Sequence, residues 1–237
     1  TERRDFIVSL TEPWFLGKPL SLGGELFYRD LFFLSDDYEQ TNYGGAINLR
    51  KPIGEHSHLQ LEYKLQQVGI GNISPDASDI IRAEEGDYLQ SIMGLDWIHD
   101  TRDDLFLTRT GHRVNLGAAY SGLGGDVEDT HVEAGAVQFF KLPFDTIFSI
   151  EGHFHTVSGD DVPIFERLFL GGANTLRGFD FRDVGPKDET GEPIGGQTSA
   201  YATAEYTFPV IRQLRGALFY DIGVVSDEDY SFSGDVN

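Results

Sequence analysis

The chain has 237 residues, no cysteine, one methionine, 28 glycines, 18 phenylalanines and 10 tyrosines, a mix that suits strands and tight turns better than helices. Without cysteine there is neither a disulfide framework nor a thiolate metal site, and a formal charge of −21 excludes a nucleic-acid binder, which needs clustered Lys and Arg. No run approaches the roughly 18 apolar residues of a spanning helix. The start, Thr1-Glu2-Arg3-Arg4-Asp5, does not read as a signal peptide, so the expectation is a mature protein or an excised piece of one.

In chain order, a weak polar–apolar alternation over 5–12 leads into a Pro-bearing turn at 12–19, and a second alternation over 20–29 leads into a long loop at 30–41. After the segment 43–51 and a short turn at 50–57, residues 58–66 alternate cleanly. There Leu59, Leu61, Tyr63 and Leu65 interleave with His58, Gln60, Glu62, Lys64 and Gln66. A long loop at 69–87 precedes 88–98, and a connection at 99–112 precedes 113–120. The loop 121–130, the segment 131–140 and the turn 141–145 lead to 147–155, where Phe148, Ile150 and Phe154 oppose Glu151, His153 and His155. The longest loop, 158–196, comes next. Beyond it lie 199–208, a turn at 208–213, a last alternation over 214–225 and a tail at 226–237. This predicts ten strands and no helix.

Long and short connections alternate with strand parity. The long set holds 24 Asp and Glu against 5 Lys and Arg, and the short set holds 6 against 7, so nearly all the imbalance sits at one end of the strand array. A soluble β-sandwich is the competing reading. A wet polar face (Glu62, Lys64, Arg113, Glu151, His153), an apolar opposite face and the alternating connections favour an all-β, transmembrane antiparallel β-barrel. An open edge in lipid would leave amides unpaired, so strands are expected beyond both ends.

The loop 158–196 carries Gly171-Gly-Ala-Asn-Thr-Leu-Arg-Gly-Phe-Asp-Phe181. Arg177, at the tip of this glycine-rich turn, needs carboxylates, and strand parity puts Glu205 and Asp221 on the polar face of the two following strands. Gly178 is expected to turn the backbone beside the arginine, and Phe179 to wedge against the wall. His153 and His155 share a face beside Glu151 and form a possible metal pair, but lumen-lining polarity explains them more simply. The reading therefore assigns no catalytic residue, no metal and no cofactor.

Several segments together resemble the bacterial surface antigen family of outer-membrane assembly and translocation barrels. They are Ser9-Leu-Thr-Glu-Pro-Trp-Phe-Leu-Gly17, Leu20-Ser-Leu-Gly-Gly-Glu-Leu-Phe-Tyr-Arg-Asp30, Asp100-Thr-Arg-Asp103, Thr108-Arg-Thr-Gly111, Phe165 through Phe179, Asp183-Val-Gly-Pro-Lys-Asp188 and Gly191-Glu-Pro-Ile-Gly-Gly196. The resemblance implies a sixteen-stranded barrel with the Arg-Gly-Phe motif in its sixth external loop. Residues 1–237 would then be a partial barrel domain holding the fourth to thirteenth strands, with the terminal strands and the periplasmic POTRA domains elsewhere. It also implies a loop-to-wall lock at Arg177, Gly178, Phe179, Glu205 and Asp221. The function implied is folding and insertion of client β-barrels into the bacterial outer membrane. Its implied partners are outer-membrane lipids and lipopolysaccharide, unfolded client proteins and accessory lipoproteins. A sister member serving autotransporter assembly or two-partner secretion, and a passive porin, remain the alternatives.

Overall fold

A computed structural model of the chain describes residues 3–32, 35, 37–211 and 214–232. Its ten strands are β1 (Arg3–Glu12), β2 (Ser21–Leu31), β3 (Glu39–Pro52), β4 (Ser57–Gly71), β5 (Gly86–Asp100), β6 (Gly111–Ser121), β7 (Asp129–Leu142), β8 (Thr146–Ser158), β9 (Thr198–Ile211) and β10 (Leu214–Ser226). They form one antiparallel sheet in sequence order, with β1 and β10 at its two edges. All ten expected strands are present, most of them longer by a few residues. Parts of the 208–213 turn and of the 226–237 tail lie outside the described residues.

The register explains the alternation. Along one face, Leu26, Ile47, Leu61, Leu95, Leu116, Ile150 and Leu218 stand between 43% and 68% exposed. A contiguous apolar face of that extent in water would be an aggregation surface, whereas in a bilayer it is the lipid-facing band. At the short-turn end Trp14, Leu16, Phe106 and Phe144 project outward, as aromatic and apolar side chains do at a membrane interface. Among the described residues no helix is long and apolar enough to cross a membrane. The chain forms part of the wall of a transmembrane β-barrel.

The opposite face is polar and curls around the loop 159–197. The curvature is visible in the loop's contacts: Glu192 reaches Ser35 before β3, Glu166 reaches Gln90 on β5, and Arg177 reaches Asp221 on β10. The expectation of no helix fails at one place, α1 (Asp79–Ala83), inside the 69–87 loop. Ser78 caps it by accepting from the Ile81 N–H, and Asp79 complements its N-terminal dipole. Five residues give too little periodicity to read from sequence.

The external loops also have a core of their own. Tyr38, Val68, Ile70, Ala77, Ile81 and Ile164 bury one another, with Phe165 and Phe169 packed against them. Three loops and the outer end of β4 thereby form a dome over the barrel. Asp76, Asp79, Glu85, Asp160 and Asp161 of these loops are exposed.

Candidate functional site

Loop 159–197 is folded on itself before it touches the wall. Leu168 and Gly196 exchange two backbone hydrogen bonds of 2.8 and 2.9 Å, and the Val184 N–H donates to the Leu170 carbonyl. The turn at its tip is closed by Thr175, whose hydroxyl accepts from the Gly171 N–H at 2.9 Å and donates to the Gly171 carbonyl at 3.0 Å. Gly171 must be glycine for two reasons: its φ is +114°, and a Cβ there would stand 2.2 Å from the Asp180 carbonyl oxygen. Gly178 has φ +95° and open space around it, so conformation alone requires it.

This turn delivers Arg177 to the wall. Its Nε and one terminal nitrogen donate to the two oxygens of Asp221 at 2.8 and 2.7 Å, a bidentate fork. The other terminal nitrogen donates to Glu205 Oε2 at 2.6 Å. The Arg177 backbone N–H adds a fourth bond, to Asp221 Oδ2 at 3.1 Å. The guanidinium carbon lies 3.5 Å from the ring centroid of Phe219, so the cation rests on an aromatic face while its edges are bonded. The Asp221 carboxylate first, and Glu205 with it, holds the guanidinium charged well above its ordinary range. The register makes this possible: Asp221 pairs with Thr203, and Phe219 pairs with Glu205, on one inward face.

The two carboxylates are not equivalent. The Asp221 side chain is 4% exposed and that of Glu205 is 28% exposed, so the Asp221 arm carries most of the desolvated charge pairing. Beside it Glu151 of β8, paired with Thr203 of β9, bonds His153 at 2.6 Å, and His153 stacks on Tyr201 at 4.7 Å.

The apolar part of the contact differs from the sequence expectation. Phe179 is 41% exposed, and the side chain that enters the wall is Leu176, fully buried with Leu170, Val184 and Val225. The positive φ at Gly178 separates the two residues: the chain before it faces the wall and the chain after it turns toward solvent. Burying four such side chains is worth about 1.5–3 kcal/mol each, whereas an ion pair's net gain is reduced by desolvation. The plug therefore supplies most of the docking energy, and Arg177 fixes the register of docking.

A second arginine of the same loop escaped the sequence reading. Arg182 sits over the Phe169 ring at 3.5 Å and donates to the Tyr38 hydroxyl at 3.3 Å. Burial pushes its guanidinium below, and the Tyr38 phenol above, their ordinary ranges. The apolar residues around it in an acidic loop (Ile164, Phe165, Leu168, Phe169, Leu170) are the signal that could have marked this segment as packed. His153 and His155 have separate partners: His155 Nε2 meets His131 Nδ1 at 3.1 Å, while His153 turns to Glu151.

A model of the Omp85 superfamily domain matches residues 1–237. The chain is 29% identical over 246 residues to the outer membrane protein assembly factor BamA of Nitratidesulfovibrio vulgaris, covering 99% of this chain and 30% of that protein. It is 28% identical over 221 residues to the factor of the same name from Neorickettsia risticii, covering 89% of this chain and 29% of that protein. Among solved structures, BamA from Haemophilus ducreyi lacking POTRA domains 1–3 superposes with a TM-score of 0.82 at 19% identity, over 94% of this chain and 49% of that one. The chain thus spans about 30% of the length of the curated relatives it matches.

Proposed function

Residues 1–237 belong to the Omp85 superfamily, and from that premise we propose that they form part of the barrel of a factor that folds and inserts client β-barrel proteins into the bacterial outer membrane. The observation that carries this reading is the clamp of Arg177 on Glu205 and Asp221, which ties the longest external loop to β9 and β10. In the sixteen-stranded arrangement that the sequence resembles, β1 to β10 are the fourth to thirteenth strands, and POTRA domains precede the barrel. The clamped pair then lies near the junction of the first and last strands. Stiffening that part of the wall confines opening to the junction, where an exposed strand edge pairs with a client strand through backbone hydrogen bonds. The step needs no nucleophile and no nucleotide, so the role is that of an assembly factor and not of an enzyme. Clients enter from the periplasmic side with the help of accessory lipoproteins. The outward apolar face meets lipid, and the acidic dome lies beside lipopolysaccharide.

The test is assembly of a heat-modifiable client barrel in proteoliposomes carrying the complete protein. Faster client folding than in empty liposomes, with a loss on Arg177→Ala, is the expected result. Equal folding with and without the protein refutes the insertase reading. A large, steady conductance in planar bilayers marks a diffusion pore instead.

A further inference from the structure

Two to three strands from the arginine clamp, the same loop meets the wall again. Asp129 and His131 at the outer end of β7 converge with Glu166 of the loop, and one ligand atom from each lies within 4.8 Å of the others. His131 Nε2 stands 2.9 Å from Glu166 Oε2 and 3.3 Å from Asp129 Oδ1. Donors on a tetrahedral zinc ion with bonds of about 2.1 Å are separated by about 3.4 Å. The Asp129 spacing is of that size, and the Glu166 spacing is about 0.5 Å shorter, so the Glu166 carboxylate would have to move outward by that much to share an ion.

Asp129 is the decisive residue. Its side chain is fully buried, yet neither carboxylate oxygen accepts a hydrogen bond of acceptable geometry, and His131 Nε2 donates none. A buried carboxylate without donors is costly, and a cation removes that cost. The other atoms of the cluster are already held as ligand supports are. His131 Nδ1 lies 3.1 Å from His155 Nε2, a contact that orients the imidazole; with the proton on Nδ1, Nε2 would be free to bind an ion at the centre. The second oxygen of Glu166 accepts from Gln90, whose own amide oxygen accepts from Gln66 at 2.6 Å. His131 and Glu166 line a cavity of about 260 Å³ on the inward face together with Glu62, Lys64, Asp96 and Glu133, whose carboxylates outnumber the one lysine and favour entry of a cation.

We propose that Asp129, His131 and Glu166 bind a divalent transition-metal cation, with zinc the best fit, and that the ion staples loop 159–197 to β7. One imidazole with two carboxylates suits zinc, and three donors are too few for calcium, which takes about 6–8 oxygens. The staple would hold the loop at β7 and the Arg177 clamp holds it at β9 and β10. Neither depends on the insertase reading.

The experiment uses the complete protein, purified in detergent and stripped with chelator. Zinc at 100-fold excess over its Kd is expected to raise the Tm of so long a chain by roughly 2–3 °C, and cobalt to give the visible absorption of an ion bound by nitrogen and oxygen. His131→Gln and Glu166→Gln should each abolish both signals; the second variant keeps an acceptor for Gln90 should the first fail to fold. Equal Tm shifts from magnesium or calcium, or zinc binding unchanged in Glu166→Gln, would mean adventitious binding to the acidic loops and overturn the assignment. No zinc effect on the stripped wild type would leave a plain His131–carboxylate ion pair and overturn it as well.

Discussion

Replacing Arg177 with alanine removes the two bonds to Asp221 and the one to Glu205, together with the stack on Phe219, but leaves the backbone N–H bonded to Asp221. Breaking one side of a buried ion pair costs about 3–5 kcal/mol. The remaining backbone donor lowers that figure, and the more exposed Glu205 arm adds at most about 1 kcal/mol. The expected cost is therefore about 2–4 kcal/mol. It falls on the loop alone, because the plug of Leu170, Leu176, Val184 and Val225 keeps the turn docked for most of the time. That cost raises the open population by about 30- to 1000-fold. Native-state hydrogen exchange in detergent reads it directly, at the amides of Gly172 and Val184, which are bonded within the loop. Amides at the centre of β4 and β5 should exchange as in wild type. Arg177→Lys should lie between, since an ammonium keeps the charge but cannot make the fork. Opening within threefold of wild type in Arg177→Ala, or acceleration spread evenly over the barrel, would refute the reasoning.

In a double-mutant cycle the coupling of Arg177 to Asp221 should exceed its coupling to Glu205, as the 4% and 28% exposures require; equal couplings would contradict the assignment of the main charge pair. Leu176→Ala should cost about 2–5 kcal/mol of loop stability, and increased protease cleavage of residues 171–181 would report it. Ile150→Lys, on the lipid-facing side, should cost about 2–4 kcal/mol in a bilayer-unfolding titration, while Asn115→Lys on the inward face should cost far less. Burial pushes the Asp188 carboxyl up, but the Ser78 and Thr190 hydroxyls and the Glu192 and Thr190 amides together hold it down at about 2. Its folded value lies below its unfolded one, so its stabilisation is complete above the ordinary carboxylate range and is lost as pH falls from about 4 toward 2. Pepsin cleavage at 187–193, normalised to a free peptide of that sequence, should rise over that window.

Strand parity made Arg177, Glu205 and Asp221 readable as one group. Period-2 alternation is a local property, and it sends residues 205 and 221 to the same face whatever the rest of the chain does. For the same reason ten strands, their facing and the segregation of acidic loops to one end were legible from residue order. Other features depend on how strongly the sheet curls and on which loops meet above it. The dome around Tyr38 and Arg182, the convergence of Asp129 and His131 with Glu166, and the choice of Leu176 over Phe179 as the buried wedge are of that kind. Residues 90 and 166 share no pattern in sequence, yet Gln90 bonds Glu166. The sequence by itself determined which side chains face lipid and which face the lumen, because alternation needs only neighbours. Only the tertiary structure decided which inward residues touch, because those contacts close through a long loop whose path no local periodicity encodes.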